Sequence, residues 1–169
     1  MDWDAFAHWG KHISDWAADY HKSLPDRPVR AQTSPGEIAA QLPSMPPETA
    51  EAMEDVLSDF ERIVMPGITH WQHPRFFAYF SANAAPPSML AEMLVTTIAA
   101  QCMLWQTSPA ATEMEGVMVD WLRQALGLPH GYTGVIQDSA SSATLSAVLT
   151  MRERATGYTG NRDGLSAKG

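Results

Sequence analysis

Residues Gly134–Leu149 read G-V-I-Q-D-S-A-S-S-A-T-L-S-A-V-L, and this stretch decides how the rest of the chain is understood. The apolar pair Val135-Ile136 gives way abruptly to Gln137, Asp138 and a cluster of small hydroxylated residues. Behind them come Leu145, Val148 and Leu149, with Arg152 and Arg154 at the far end, so the spacing predicts a helix from about Ser139 to Arg154 or Ala155. Small residues at a strand-to-helix junction leave the first backbone N–H groups of the helix unobstructed. Added to the positive end of the helix dipole, those donors suit a phosphate or a carboxylate. The alternative is an ordinary cap, with Asp138 or Ser139 satisfying the donors and no ligand involved.

Working outward, composition narrows the classes. The net charge of −8 argues against nucleic acid or an anionic membrane as partner. A lone Cys102 excludes an internal disulfide and fits a reducing cytoplasm. The chain opens on no basic-then-apolar leader, and no apolar run approaches a membrane span, which gives a soluble cytoplasmic expectation. Six Trp and ten Met point first to core and interface packing.

Trp3, Phe6, Trp9, Ile13, Trp16 and Tyr20 recur at helical spacing, and a lone helix cannot hide so many rings. His8 and His12 stand one turn apart, but no third metal ligand is close in sequence, so an exposed pair is expected. Pro25–Thr33 reads as an extended linker, and Ser34-Pro35-Gly36-Glu37 as a capping box opening a short helix to about Leu42. From Pro47 to about Val64, Met53, Val56, Leu57, Phe60, Ile63 and Val64 form an apolar helical face that Pro66-Gly67 closes.

Thr69–Ala82 crowds Trp71, Phe76, Phe77, Tyr79 and Phe80 around Pro74, with a short strand possible near Phe76–Phe80. On composition this is a hydrophobic wedge between subdomains. His70 and His73 lack a zinc signature and are rejected as a metal pair. Pro86-Pro87-Ser88 starts a helix whose Met89, Leu90, Met93, Leu94, Ile98 and Cys102 read as buried. Ser108-Pro109 caps another, with Met114, Val117, Met118, Trp121, Leu122 and Ala125 as its buried face and Gly127 as its stop. Glu113 and Glu115 read as dipole-favoured residues on a solvated face. Thr156–Gly169, rich in Gly and polar residues, reads as a loop or flexible end.

Three segments in order carry a family resemblance: Met65–Leu94, Trp105–Leu122 and Gly134–Leu145. Together they resemble the group II pyridoxal-phosphate (PLP) amino-acid decarboxylases, the aromatic-L-amino-acid decarboxylase family. The resemblance covers nearly the whole chain and is weakest over the first forty residues and the last ten. It implies an α/β, fold-type I PLP enzyme when complete, of which this chain is the mostly helical front portion. Residues 1–84 would be an N-terminal helical and dimerisation segment with the substrate-side aromatics, and 85–169 the start of the large PLP-binding domain. It implies that Ala140 and Ser141, with Ser139, hold the cofactor phosphate. Trp71, Tyr79, Phe80, Ser81, Ala82, Gln101 and Met103 would border the amino-acid substrate. The N-terminal helices would pack across the partner of a homodimer.

One departure bears on substrate choice. Animal members of that family usually carry Pro-Thr where this chain has Ser81-Ala82, and the Thr hydroxyl lies near the substrate carboxylate and the cofactor. Ala82 has no hydroxyl to offer; Ser81 or Asn83 is the available substitute. A polar Gln101 is a second departure.

The cofactor-bearing lysine, the acid facing the pyridine nitrogen and the histidine stacked on the ring all lie downstream in the resembling enzymes. Lys11, Lys22 and Lys168 match no such motif. The expectation is therefore a chain that is inactive alone and is completed by a C-terminal polypeptide. Two other readings stand beside it: an aldehyde synthase of the same family, and a non-catalytic helical interaction module.

Overall fold

In the computed structural model, residues 1–80 and 84–165 are described, and Ser81, Ala82 and Asn83 lie outside them. Every regular element among the described residues is helical. The chain divides into two units, Met1–Leu90 and Ala91–Gly169.

In the first unit, helix α1 spans Trp3–Ser23 and starts where the Asp2 carboxylate accepts the Ala5 N–H at 2.8 Å. Its aromatic stripe is split in two. Trp16 and Tyr20 stack at 5.4 Å, and Trp16 meets Phe60 edge-on at 5.5 Å while its Nε1–H donates to Glu61 at 2.7 Å. Trp3, Phe6 and Ile13 remain exposed. Helix α2, Met53–Asp59, continues as a wider π turn over Phe60–Val64 and a tight turn at Met65–Gly67. Ile63, on that π turn, is the most deeply buried side chain among the described residues, and Leu24 is buried as well. Gly67 passes so close to Ile38 that a Cβ would sit 3.0 Å from its side chain.

Three expectations for this unit change. The α2 helix begins at Met53 rather than Pro47, because regular structure forms only where apolar residues face α1 across the groove lined by Trp9, Ile13 and Leu57. The Ser34 backbone N–H does donate to Glu37 at 2.9 Å, as a capping box requires, but only turns and the short helix Ala39–Gln41 follow. Phe76–Phe80 is not a strand; it is irregular with a bend at Ala78 and Tyr79, and no strand among the described residues offers a ladder. The linker is pinned rather than free. The His70 N–H donates to the Val29 carbonyl at 2.9 Å, and the Ala31 N–H to the Thr69 hydroxyl at 3.3 Å.

Helix α3, Pro86–Ile98, crosses the boundary between the units. In the second unit, α4 spans Pro109–Ala125 and ends in a left-handed Gly127, with the Leu128 N–H returned to the Arg123 carbonyl at 3.0 Å. Helix α5, Ala140–Ala155, and the short α6, Gly160–Asp163, follow. Val135-Ile136 is irregular, without strand pairing among the described residues. The apolar faces expected to be buried on α3 and α4 are exposed, as at Leu90, Leu94, Ile98, Trp121 and Leu122, and so are Leu145 and Val148 on α5. Periodicity identifies these faces as apolar, but burial needs an opposing layer, and the described residues supply none.

The expected flexible end is also revised. Thr156 is buried, and α6 folds back so closely that a Cβ on Gly160 would lie 2.7 Å from a Glu153 carboxylate oxygen. The Arg152 guanidinium bonds both Glu153 and Asn161, closing this hairpin. Ser166–Gly169 lie outside the described residues. No helix among the described residues is long and apolar enough to cross a membrane.

Candidate functional site

The first unit builds an aromatic surface. Trp71 stacks on Phe76 at 4.9 Å and on Tyr79 at 5.6 Å, with ring planes 29° and 18° from parallel. Tyr79 presents its ring from a left-handed backbone, φ 53°, a conformation that disfavours a bulky side chain and is stored strain. Trp71 and Tyr79 are thus brought together as a stacked pair, while Phe80, 98% exposed, stands apart from them. Ser81 and Ala82 lie outside the described residues. Phe76 belongs to this surface although the sequence reading did not select it. Its place is set by a turn between residues 73 and 76, which no helical or strand period announces.

Beneath the aromatic surface lie His70 and His73, both buried. His70 Nδ1 shares a hydrogen bond with the Tyr20 hydroxyl at 2.8 Å, and Arg27 lies over the Tyr20 ring at 5.1 Å. Burial, then the neighbouring Arg27 and His73, hold the His70 imidazole below its ordinary value, and burial pushes the Tyr20 hydroxyl up against the pull of Arg27. These histidines are spoken for by the fold.

The second unit builds the start of α5. The Ser139 hydroxyl accepts the Ser142 N–H at 3.3 Å, so Ser139 is the cap and Asp138 is not. The N–H groups of Ala140 and Ser141 meet no acceptor among the described residues, and the Ser141 hydroxyl bonds none of them either. Ala140 and Ser141 share a shallow depression with Thr144, Leu145 and Val148. Asp138 is exposed and makes no ion pair among the described residues. Two open donors, a free hydroxyl and a methyl in place of any bulk are what a phosphate needs, so these residues fit such a group.

What aims this turn is α4. Glu115 accepts the Ile136 N–H at 2.7 Å, and Gly134 sits against Val119, where a Cβ would come within 3.3 Å. Glu113 accepts the Trp105 indole N–H at 3.0 Å. Both glutamates thus tie α4 to neighbouring chain while Glu113 stays exposed, as expected, and Glu115 is half-buried. Sequence offered no signal for this, since each partner is a single backbone or indole N–H some distance along the chain. Gln101 and Met103 are exposed, in the irregular segment between α3 and α4.

Solved structures of fold-type I PLP enzymes match the chain. It covers 98% of itself and 35% of the Catharanthus roseus tryptophan decarboxylase structure with L-tryptophan, at TM-score 0.89 and 32% identity. Against Rhodiola rosea 4-hydroxyphenylacetaldehyde synthase the TM-score is 0.88 at 35% identity, with 97% of this chain and 36% of the other covered. Residues 35–163 match the pyridoxal-dependent decarboxylase conserved domain, and the chain belongs to that family of carboxy-lyases, whose cofactor is PLP. Rat aromatic-L-amino-acid decarboxylase is 43% identical over 162 residues, 91% of this chain and 34% of that protein. Phenylacetaldehyde synthase of Arabidopsis thaliana is 38% identical over 160 residues, 91% and 33%. The chain thus spans about a third of the length of these relatives.

Proposed function

We propose that the chain supplies the phosphate grip and part of the substrate wall of a PLP-dependent decarboxylase of aromatic L-amino acids. The cofactor-bearing lysine matches none of Lys11, Lys22 and Lys168 and lies elsewhere in the complete enzyme. The observation that carries this reading is the pair of open N–H groups at Ala140 and Ser141 in a chain of this family. PLP, when bound, supplies the electron sink for loss of carbon dioxide. The residues of this chain hold and orient. The Ala140 and Ser141 N–H groups and the Ser141 hydroxyl would hold the phosphate, while Ser139 keeps the helix start in shape. Trp71 and Tyr79, with Phe80, Ser81, Ala82, Gln101 and Met103, border the amino-acid side chain. The complete enzyme is a cytoplasmic homodimer acting on a small molecule, with neither nucleic acid nor membrane as partner.

Mass spectrometry of the purified complete enzyme tests cofactor attachment: the expected result is a PLP-linked lysine outside residues 1–169. Carbon dioxide release over a panel of amino acids tests substrate class. Aromatic amino acids are expected to be preferred over glutamate, because the Trp71 stack offers offset ring contact and Ser81–Ala85 contain no basic residue to pair a side-chain carboxylate. A glutamate preference refutes the aromatic assignment. An aldehyde synthase is the second reading, favoured by the similarity to phenylacetaldehyde and 4-hydroxyphenylacetaldehyde synthases. Aldehyde rather than amine among the organic products of the same reactions selects it.

Glu115 gives a further expectation. Glu115→Leu releases the Ile136 N–H and should weaken PLP binding roughly twofold to tenfold, the usual effect of one exposed hydrogen bond. Glu115→Gln keeps an acceptor and should lose less. Spectrophotometric titration of both variants checks this, and equal affinity across all three proteins removes Glu115 from the argument.

A further inference from the structure

We propose that His73 is a positioning residue for the aromatic wall, acting through its Nδ1 on the backbone that carries Trp71, Phe76 and Tyr79; the inference rests on the substrate-side reading of that wall. His73 is 3% exposed, whereas the rings around it face outward. Its Nδ1 accepts the Arg75 N–H at 2.9 Å. Pro74 has no N–H, so Arg75 offers the first donor after His73, and the imidazole closes a side-chain turn over the proline. The backbone of the same residue makes two more turns. Its N–H donates to the His70 carbonyl at 3.0 Å, and its carbonyl accepts the Phe76 N–H at 2.9 Å. Three hydrogen bonds at one residue thus fix the path from His70 to Phe76, and that path sets the 4.9 Å stack of Phe76 on Trp71.

A backbone N–H only donates, so Nδ1 in this contact is unprotonated and the neutral ring carries its proton on Nε2. Nε2 is buried without a hydrogen-bonding partner among the described residues. Burying that donor is unfavourable, and an aliphatic side chain of similar volume would not bear the cost. What the imidazole contributes here is the acceptor at Nδ1.

Asparagine and glutamine separate the two nitrogens, since the Asn carbonyl oxygen takes the place of Nδ1 and the Gln amide reaches only the place of Nε2. In the complete enzyme, His73→Leu and His73→Gln should raise KM for the preferred aromatic amino acid roughly threefold to tenfold, the reach of one lost hydrogen bond. His73→Asn should restore the parental KM. kcat and PLP affinity should stay near the parental values in all three, because the Ala140–Ser141 turn is untouched. A parental KM in His73→Leu overturns the proposal, as does a His73→Asn variant as impaired as His73→Leu, or a loss confined to kcat. Ring-nitrogen NMR of the unsubstituted protein gives a test that needs no turnover: the Nε2–H tautomer at His73 is expected, and the Nδ1–H tautomer overturns the assignment. If the parent turns over no aromatic amino acid, the substrate reading fails while the tautomer result still decides whether His73 holds the turn.

Discussion

Ser141→Asp in the complete enzyme is expected to nearly abolish PLP binding, while Ser141→Ala should weaken it roughly tenfold to a hundredfold, the range for one charge-assisted hydrogen bond of about 1.5–3 kcal/mol. The two substitutions act differently. Alanine removes only the hydroxyl and leaves the N–H groups of Ala140 and Ser141 open. Aspartate places a carboxylate where a dianion must sit, beside the negative charge already present at Asp138, and like charges at short range repel strongly in a partly desolvated site. A new carboxylate at the second residue of α5 also favours the helix dipole, so the fold itself should survive the change. Titration of the cofactor absorbance reads both variants. If both hold PLP as tightly as the parent, the start of α5 is an ordinary cap and the central assignment is wrong.

Removal of residues 1–24 is the second large effect. The deletion takes Trp16 off Phe60 and Glu61, Tyr20 off His70, and the buried Leu24 out of the core. Fully burying a side chain such as Leu24 contributes about 1.5–3 kcal/mol, and with the half-buried Trp16 and Tyr20 lost as well the effect is large beside the usual stability of a domain. The exposed Trp3, Phe6 and Ile13 would be the part of the stripe left for a partner chain. The truncated enzyme is expected to run as monomers or aggregates in light scattering. A soluble oligomer of parental size would show that the stripe serves neither purpose.

Much of the helical skeleton was legible because helix ends are local chemistry. Ser108-Pro109 before α4, Gly127 after it and Ser139 before α5 lie at the boundaries found. The candidate phosphate turn was legible for the same reason, since small residues at a helix start are visible in a few letters of sequence. What failed was whatever needs a second element. A strand at Phe76–Phe80 or Val135-Ile136 requires a neighbour to pair with. The apolar faces of α3 and α4 require a layer to cover them. The hydrogen bond from Ile136 to Glu115, the fold-back of α6 onto Glu153 and the burial of His70 and His73 join residues whose proximity no local pattern encodes.

The left-handed backbone of Tyr79 sets two selective pressures against each other. Glycine would sit at that φ without strain and asparagine with little, so a search for greater stability alone would drift toward either one. Each step in that direction would strip a ring from Trp71 and flatten the aromatic surface. With the aromatic surface as the proposed substrate wall, activity and robustness would be opposed at this position, and directed evolution for heat tolerance should hold residue 79 fixed and seek its gains elsewhere.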